Sequence, residues 1–427
     1  MVRIIQTLDQ IEEFALRLEQ RTPGADPDLL RAVAEIIAAV RSGGDAALIE
    51  YSKKFDGHEI TASAIRLDSD TLKSFAQGVD RDVLNVIRES IRNVTLYHEH
   101  QKESSWSIRH GETSELGQRI LPLDSVGVYV PGGTAAYPSS VIMNVVPAQV
   151  AGVSRIAVAT PPQTLSANPT VAAAILELGL TEVYAVGGAQ AIALLAYGTE
   201  TIEPVDKITG PGNKYVATAK RLVFGDVGID AIAGPSEVVI VADDSCPAEF
   251  AAADMLAQAE HGPDASAVLV TADPGFAARV AEEIEQQLVS LPRREIVREA
   301  LSSFGAIISV PTINDAAEIV NRFAPEHVEL ITRDNNSVAG MIRHAGAIFF
   351  GPYAPEAVGD YFAGPNHVLP TGRTARFASA LGVYDFVRRT SVIKYAATEM
   401  FANADKIAKF AEAEGLSGHA RSVLVRK

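Results

Sequence analysis

The chain has 427 residues, with a hydrophobic fraction of 47% and a charged fraction of 21%, values typical of a folded protein that buries a large core. At roughly 150 residues per domain, this length predicts two or three domains. The formal net charge of −16 argues against a general nucleic-acid binder or a binder of anionic membranes, because both need a basic surface. The single cysteine, Cys246, excludes an intrachain disulfide and a cysteine-rich zinc site.

The N-terminal residues have the pattern of an amphipathic helix and not that of an export signal. They read MVRIIQTLDQIEEFALRLEQ, with several acids and no long apolar run. The longest apolar run, residues 183–197, is too short to span a membrane and contains Gly-Gly and Gln. We therefore expect a cytoplasmic protein that associates with neither membrane nor nucleic acid.

The first hundred or so residues are predicted to be mostly helical. Residues 26–55 place apolar side chains at helical spacing, with Asp26 before the helix and the pair Gly43-Gly44 after it. Residues 74–102 have the pattern of a second long helix.

Beyond Leu123 the pattern changes to strands that alternate with helices across short Gly/Pro turns, which predicts parallel sheets with crossover helices. The predicted strands lie within residues 125–133, 155–162, 182–188, 206–210, 236–244, 266–273, 306–311 and 327–332. The predicted fold class is therefore α/β, with two incomplete Rossmann-like parallel-sheet domains, an N-terminal helical segment and a C-terminal arm of mixed strand and helix. The expected bounds are 1–24 for the helical segment, 25–127 plus 238–380 for a discontinuous first α/β domain, 128–237 for the second, and 381–427 for the arm.

Two polar residues, Glu326 and His327, stand side by side in the otherwise apolar sequence FAPEHVEL. Neighbours in a strand point to opposite faces, so a strand would direct only one of them into a given pocket. A strand edge with two solvated side chains explains the pair equally simply. If the residues just after Pro325 instead precede the strand, both side chains can reach one pocket.

Several other polar residues are candidates for binding a divalent cation. Gln258 and His261 are three apart, on one face of the last turn of a predicted helix. Asp360 and His367 lie in a loop rich in Gly, Pro and Asn, and His419 lies among small residues near the C-terminus. Taken singly, each is explained as well by capping, a structural loop or a frayed tail.

The motifs taken together resemble one enzyme family. VGVYVPGG, VGGAQAIA, GPGNKYV, AGPSE, AEHGPD, FAPEHVEL, GDYFAGPNHVLPTG and EGLSGHA occur in this order over roughly 300 residues. The chain resembles the histidinol dehydrogenases, which oxidise L-histidinol to L-histidine with two NAD⁺ in histidine biosynthesis. The resemblance implies an oxidoreductase that binds one zinc per subunit and forms a homodimer with shared active sites.

The resemblance also implies a role for each matching position. The implied zinc ligands are Gln258, His261, Asp360 and, from the other subunit, His419. The implied substrate contacts are Ser236, Gln258, His261, His327, Asp360, His367, Glu414 and His419. The implied NAD contacts are Tyr129, Gln190 and Asn213, and the implied acid–base pair is Glu326 and His327. No GxGxxG fingerprint follows a strand, so the expectation of NAD comes from the resemblance and not from a motif.

The chemistry of the implied reaction suits these residues. Each hydride transfer needs a base for a hydroxyl proton, a task for His327, and the second also needs water, which Glu326 would activate. We expect no covalent intermediate on Cys246, which lies outside every shared motif. Three alternatives stay open at this point: a dehydrogenase of the same fold for another polar alcohol such as a sulfonated diol, a zinc hydrolase, and a non-enzymatic binding protein.

Overall fold

The structure is a computed structural model that describes residues 2–21, 26–57, 60–111, 113–132 and 137–427. The first part of the chain contains β1 (Arg3–Ile5), α1 (Leu8–Glu19), α2 (Pro27–Asp56), α3 (Ala62–Ile65), α4 (Ser69–Phe75), α5 (Arg81–Glu99), β2 (Trp106–His110) and β3 (Ser114–Pro122). The second part contains β4 (Ser125–Tyr129), α6 (Pro138–Ala151), β5 (Arg155–Thr160), α7 (Pro162–Ala167), α8 (Pro169–Glu177), β6 (Val183–Ala185), α9 (Gly188–Tyr197), β7 (Lys207–Thr209), α10 (Lys214–Val223) and β8 (Gly228–Ile229).

The third part contains β9 (Glu237–Ala242), α11 (Ala248–Ala259), β10 (Ser266–Thr271), α12 (Pro274–Leu288), α13 (Arg294–Phe304), β11 (Ala306–Ser309), α14 (Ile313–Phe323), β12 (His327–Ile331), α15 (Asn335–Ala339), β13 (Ala347–Phe350) and α16 (Glu356–Tyr361). The C-terminal arm contains β14 (Val387–Lys394), α17 (Ala397–Ala413) and α18 (Ser417–Leu424). Among these described helices, none is both long enough and apolar enough to cross a membrane.

Two parallel sheets form the framework, which confirms the predicted α/β class. The larger sheet has the strand order β1-β11-β10-β9-β12-β13, and the smaller has the order β6-β5-β4-β7-β8. Apolar clusters cover both faces of each sheet. Strands buried on both faces are expected to be almost wholly apolar, as the sequence of β9 (EVVIVA) is after its first residue.

The packing groups the N-terminal residues differently from the predicted domain bounds. β1 pairs with β11, and Phe14 of α1 packs against Phe323, so the N-terminal segment completes the larger sheet. Val33 of α2 and Val94 of α5 instead belong to the clusters that cover the smaller sheet. The sequence pattern gives the apolar face of a helix but not the sheet that it covers. The predicted boundary at residue 24 lies outside the described residues.

A third, antiparallel sheet attaches the C-terminal arm. β14 pairs with β3, and β3 pairs with β2. The Glu399 carboxylate at the start of α17 also accepts hydrogen bonds from the backbone N–H and the hydroxyl of Thr113. The arm is therefore held by the residues that directly precede the smaller sheet.

Helix α2 continues beyond Gly43-Gly44, where the sequence predicted its end. The Glu200 carboxylate fills the space beside Gly44, and it accepts a hydrogen bond of 2.9 Å from the Asp45 N–H. Gly44 has φ 54° and ψ −137°, so the two halves of the helix meet at a kink. Glycine tolerates this conformation, and the partner carboxylate replaces the interrupted helical hydrogen bonding.

Replacing Gly44 by Ala should lower the free energy of unfolding by about 2–3 kcal/mol, because Cβ would strain the backbone and meet the Glu200 carboxylate. Thermal unfolding followed by circular dichroism measures the effect. Gly43→Ala is the matched control: it has ordinary helical backbone angles, and its free energy should change by less than about 1 kcal/mol. Equal losses for the two variants would contradict the assigned role of the kink.

Candidate active site

The buried polar groups of the larger sheet gather at the amino ends of two central strands. Glu237 begins β9 and His327 begins β12, and the register pairs His327 with Val238. Glu326 comes directly before β12, after a turn in which Ala324 has φ 45°. The side chains of Glu326 and His327 are both buried, with the nearest oxygen and nitrogen 3.7 Å apart. The two side chains therefore lie against each other, with Glu326 before the strand and His327 as its first residue.

The backbone of Glu237 orients both of these side chains. Its N–H donates to Glu326 Oε2 over 3.0 Å, and its carbonyl accepts from His327 Nδ1 over 3.0 Å. A carbonyl can only accept, so Nδ1 carries the proton and Nε2 presents a lone pair. His327 Nε2 has no hydrogen-bond partner among the described residues. The imidazole is therefore arranged as a proton acceptor.

Three side chains beside this pair can hold a cation. The ligand atoms of His261, Glu356 and Asp360 all lie within 4.8 Å of one another. Asp360 Oδ1 is 3.9 Å from His327 Nε2 and 3.8 Å from His367 Nδ1. The predicted ligands His261 and Asp360 are thus brought together with the acid–base pair, in a set of N and O donors that suits zinc and related divalent ions.

Gln258, the third predicted metal ligand on this side, is fully buried against Glu356. In the orientation that satisfies its hydrogen bonds, its nitrogen donates to the two Glu356 oxygens over 2.6 and 3.0 Å. Its oxygen accepts from the Glu237 N–H over 2.5 Å, and shares that N–H with Glu326 Oε2. The opposite orientation would direct the amide oxygen at a carboxylate, which a cation or a proton between the oxygens would stabilise. Helix α11 ends at Ala259, so His261 lies just beyond it and not in its last turn as predicted. The His261 N–H still donates to the Gln258 carbonyl over 3.3 Å, which keeps the two residues adjacent.

Burial dominates the electrostatics of the site. It raises the pKa of Glu326 and of Glu356 well above the usual value, and neighbouring carboxylates add to both shifts. It also raises the pKa of Asp360 to about 6. Burial lowers the pKa of His327 to about 3 and that of His367 to about 4, so both imidazoles are neutral at physiological pH. A divalent cation bound among these crowded, desolvated carboxylates would stabilise their ionised forms.

Asp360 lies in helix α16, not in a loop as predicted, and the loop that follows the helix carries His367 and joins the two sheet units. Asn366 donates to the Met143 carbonyl in α6 over 2.7 Å, and Asn93 in α5 donates to the Phe362 carbonyl over 2.9 Å. Both α5 and α6 cover the smaller sheet. The candidate acid–base residues, Glu326 and His327, and the candidate cation ligands, His261, Glu356 and Asp360, therefore lie where the larger sheet meets the helices of the smaller one.

The predicted NAD contacts lie together at the carboxyl edge of the smaller sheet. Tyr129 ends β4, Gln190 lies in the first turn of α9, and Asn213 caps α10. All three line a cavity of about 420 Å³. The Tyr129 hydroxyl accepts from the Gly188 N–H over 3.1 Å, while Gln190 Nε2 is buried and has no partner in the described parts of the chain. Carboxyl edges of parallel sheets are the usual place for nucleotide cofactors, and an unpartnered buried amide suits a polar ligand.

Of the remaining predicted residues, Ser236 directly precedes Glu237 at the site, whereas Glu414 and His419 are not brought into the site within one chain. Ser236 is half-buried directly before β9. Glu414 and His419 are exposed on the arm, at the end of α17 and in α18. Among the described residues, the cation-type cluster, which consists of His261, Glu356 and Asp360, does not include His419.

Sequence reasoning missed two residues of the site, Glu356 and Glu237. Glu356 stands four residues before Asp360 on α16, a spacing that puts both carboxylates on one helix face and was available as a signal. Glu237 ends the AGPSE motif, but its side-chain type gave no signal of its role, because it orients Glu326 and His327 through its backbone.

Comparison with known proteins gives a consistent result. The family model of histidinol dehydrogenase matches residues 19–427. The histidinol dehydrogenase of Geobacillus kaustophilus is 54% identical, over 93% of each chain, and that of Bacillus subtilis is 50% identical, over 99% of this chain and 98% of the relative. The crystal structure of histidinol dehydrogenase from Elizabethkingia anophelis superposes with a TM-score of 0.93 at 35% identity, covering 100% of this chain and 98% of that chain. The chain belongs to the histidinol dehydrogenase family, whose members are oxidoreductases acting on CH–OH groups.

Proposed function

We propose that this protein carries out the NAD-dependent, zinc-assisted four-electron oxidation of L-histidinol to L-histidine through L-histidinaldehyde, the final step of histidine biosynthesis. Beyond family membership, the proposal rests on one observation, the orientation of the His327 imidazole. Its Nδ1 is committed to the Glu237 carbonyl, and its free Nε2 lies 3.9 Å from Asp360 in the cation-type cluster. A neutral base beside a cation-binding group is what alcohol oxidation requires.

The residues present fit a zinc ion and NAD. Zinc would be held by Gln258, His261 and Asp360, with His419 of the partner subunit as the fourth ligand. When bound, the zinc ion would coordinate nitrogen donors of the substrate. NAD, in the cavity beside Tyr129, would be the hydride acceptor. His367, Ser236 and the partner subunit's Glu414 would hold the remaining polar groups of the substrate and orient its alcohol carbon.

The chain's own acid–base groups account for the protons. In the first oxidation His327 Nε2 takes the hydroxyl proton as the carbon loses a hydride, which leaves an aldehyde. Glu326 then removes a proton from the water that adds to the aldehyde. His327, once it has released its first proton to solvent, takes a hydroxyl proton of the resulting hydrate in the second oxidation. Burial lowers the pKa of His327, which keeps the imidazole unprotonated but weakens it as a base, and raises the pKa of Glu326, which makes its ionised carboxylate a stronger proton acceptor.

The position of Cys246 supports a route through water and not through a thiol. The thiol follows the carboxyl end of β9, whereas Glu237 begins that strand. Six strand residues span about 20 Å. Cys246 is also buried, and burial raises its pKa to about 11, so it is a poor nucleophile.

Replacing His327 by Asn should lower kcat for both oxidations by about 10²–10⁴-fold, because no other described group offers a free base at that position. Replacing Glu326 by Gln should slow oxidation of L-histidinaldehyde far more than oxidation of L-histidinol. NADH absorbance with each substrate measures both effects. Cys246→Ala is the control and should keep both rates.

Loss of only the aldehyde oxidation in Cys246→Ala would overturn the water route. The proposed substrate would be overturned if the wild-type protein reduced NAD with a sulfonated diol but not with L-histidinol.

Removing the metal tests the zinc assignment. Chelation should abolish turnover, and added Zn²⁺ should restore it. Glu356→Gln should weaken Zn²⁺ binding by about 10–100-fold, because Glu356 contacts Gln258 and lies 3.6 Å from His261. Competition with a chromophoric chelator measures the affinity. Glu260→Gln, which alters the carboxylate next to His261 in sequence but outside the cluster, should bind Zn²⁺ normally. Full turnover by metal-free protein would refute the assignment.

The arm supports a homodimer with shared sites. Large apolar side chains are exposed on it: Ile393, Phe401, Phe410 and Leu416. Apolar patches of this kind are typical of subunit interfaces. Glu414 and His419 lie on the same arm, exposed and outside their own chain's cation-type cluster. In a twofold dimer each arm would complete the partner's site.

Mixing two inactive variants tests this exchange. His261→Ala and His419→Ala should each lack activity alone. In a hybrid dimer one site carries both defects and the other carries neither, so random mixing should restore about a quarter of wild-type turnover. The NADH assay after subunit exchange, with hybrids counted by native mass spectrometry, gives the result. Hybrids without activity would show that His419 does not act across the interface.

A further inference from the structure

Both members of the acid–base pair depend on one peptide segment. The N–H and the carbonyl of Glu237 hold Glu326 and His327, each over 3.0 Å. These two polar groups flank a single Cα. A small displacement of Glu237 would therefore shift the proton acceptor and the water-activating carboxylate together.

The side chain of Glu237 is in turn fixed by an arginine from the N-terminal helical segment. Glu237 Oε1 lies 2.5 Å from Arg21 Nη2, and the two side chains are 10% and 2% exposed. Arg21 Nη1 donates to the Asp264 carbonyl over 2.8 Å, and its guanidinium stacks on Phe304 at 5.3 Å. Asp264 lies in the turn that directly follows His261. Arg21 thus connects the start of β9 with the turn next to His261, one of the candidate cation ligands.

Stability alone does not explain a buried pair of this kind. Desolvating two charges costs about as much as their attraction returns, and apolar side chains of similar size usually serve a core as well or better. A directional contact gives a different benefit. The fork of a guanidinium fixes two acceptors at set angles, here a carboxylate on one segment and a carbonyl on another.

We propose that Arg21 and Glu237 are a positioning pair for the acid–base residues of the reaction. The inference rests on the proposed function. Arg21 holds the Glu237 side chain, the Glu237 backbone then sets the directions of Glu326 and His327, and neither residue of the pair touches the substrate.

The test compares Arg21→Met, Arg21→Lys and the double variant Arg21→Met/Glu237→Gln with the wild type, all loaded with zinc. We expect kcat to fall about 10–100-fold in Arg21→Met, with the KM for L-histidinol and for NAD within about threefold, because misplacement of reacting groups slows chemistry more than binding. Arg21→Lys should retain part of kcat. Guanidinium ion, added well below unfolding concentrations, should raise kcat of Arg21→Met, and methylammonium should not.

The double variant separates positioning from stability. It removes both charges, so its thermal midpoint should recover relative to Arg21→Met while its kcat stays low. Recovery of kcat along with the midpoint would overturn the inference, as would an unchanged kcat in Arg21→Met. The matched control is Arg17→Met, which also removes a guanidinium of α1 from Phe304, at 5.9 Å, and should keep wild-type kcat. An equal loss in Arg17→Met would assign the effect to packing of α1. Wild-type turnover of L-histidinol in the same assay tests the proposed function separately.

Discussion

The parallel register between β9 and β12 is the constraint on which the site depends. Pairing His327 with Val238 places the first residue of β9 beside Glu326 and the His327 ring. At the end of a strand the backbone groups are no longer all taken by the ladder, so the peptide groups of Glu237 are free to bind side chains. A slip by one residue would turn these side chains to the other face and remove both hydrogen bonds. The chemistry is therefore determined by sheet geometry and not by a mobile loop.

This location has an electrostatic cost. Glu237, Glu326 and Glu356 are buried close together with Asp360, and desolvation disfavours the ionised forms of all four. Repulsion by neighbouring carboxylates adds to this effect for Glu326 and Glu356. The structure offsets the cost in two ways. Arg21 supplies a fixed cation at one side, and the cluster of His261, Glu356 and Asp360 can take a divalent ion at the other. The same burial keeps His327 neutral and so makes it available as a base.

Much of the framework could be predicted from sequence, because parallel strands and their crossover helices have simple periodic patterns. The pair Glu326-His327 and the residues Gln258, His261 and Asp360 stood out by chemical type, and their motifs made the family recognisable. The parts that escaped prediction depend on partners distant in sequence. The continuation of α2 past Gly44 needs Glu200, and the covering of the smaller sheet by α2 is decided by packing. Arg21, just beyond the predicted amphipathic helix, gave no signal, because its role exists only once Glu237 and Asp264 are beside it.

The proposed function uses opposite edges of the two sheets, which would let one reaction draw on both. At the carboxyl edge of the larger sheet, where ligands commonly bind in such folds, the polar side chains are already used: Asp273 caps α12, Asp334 caps α15, and Asp243 accepts from Ser245 and Arg333. Its amino edge is left for the acid–base residues, while the smaller sheet keeps the usual carboxyl edge for the cavity beside Tyr129. In the proposed reaction, hydride transfer would require the two sites to meet within van der Waals distance, so the sheets would have to be held rigidly. The hydrogen bonds from Asn366 to Met143 and from Asn93 to Phe362 tie the loop after α16, which carries His367, to the helices of the smaller sheet, and they supply that connection.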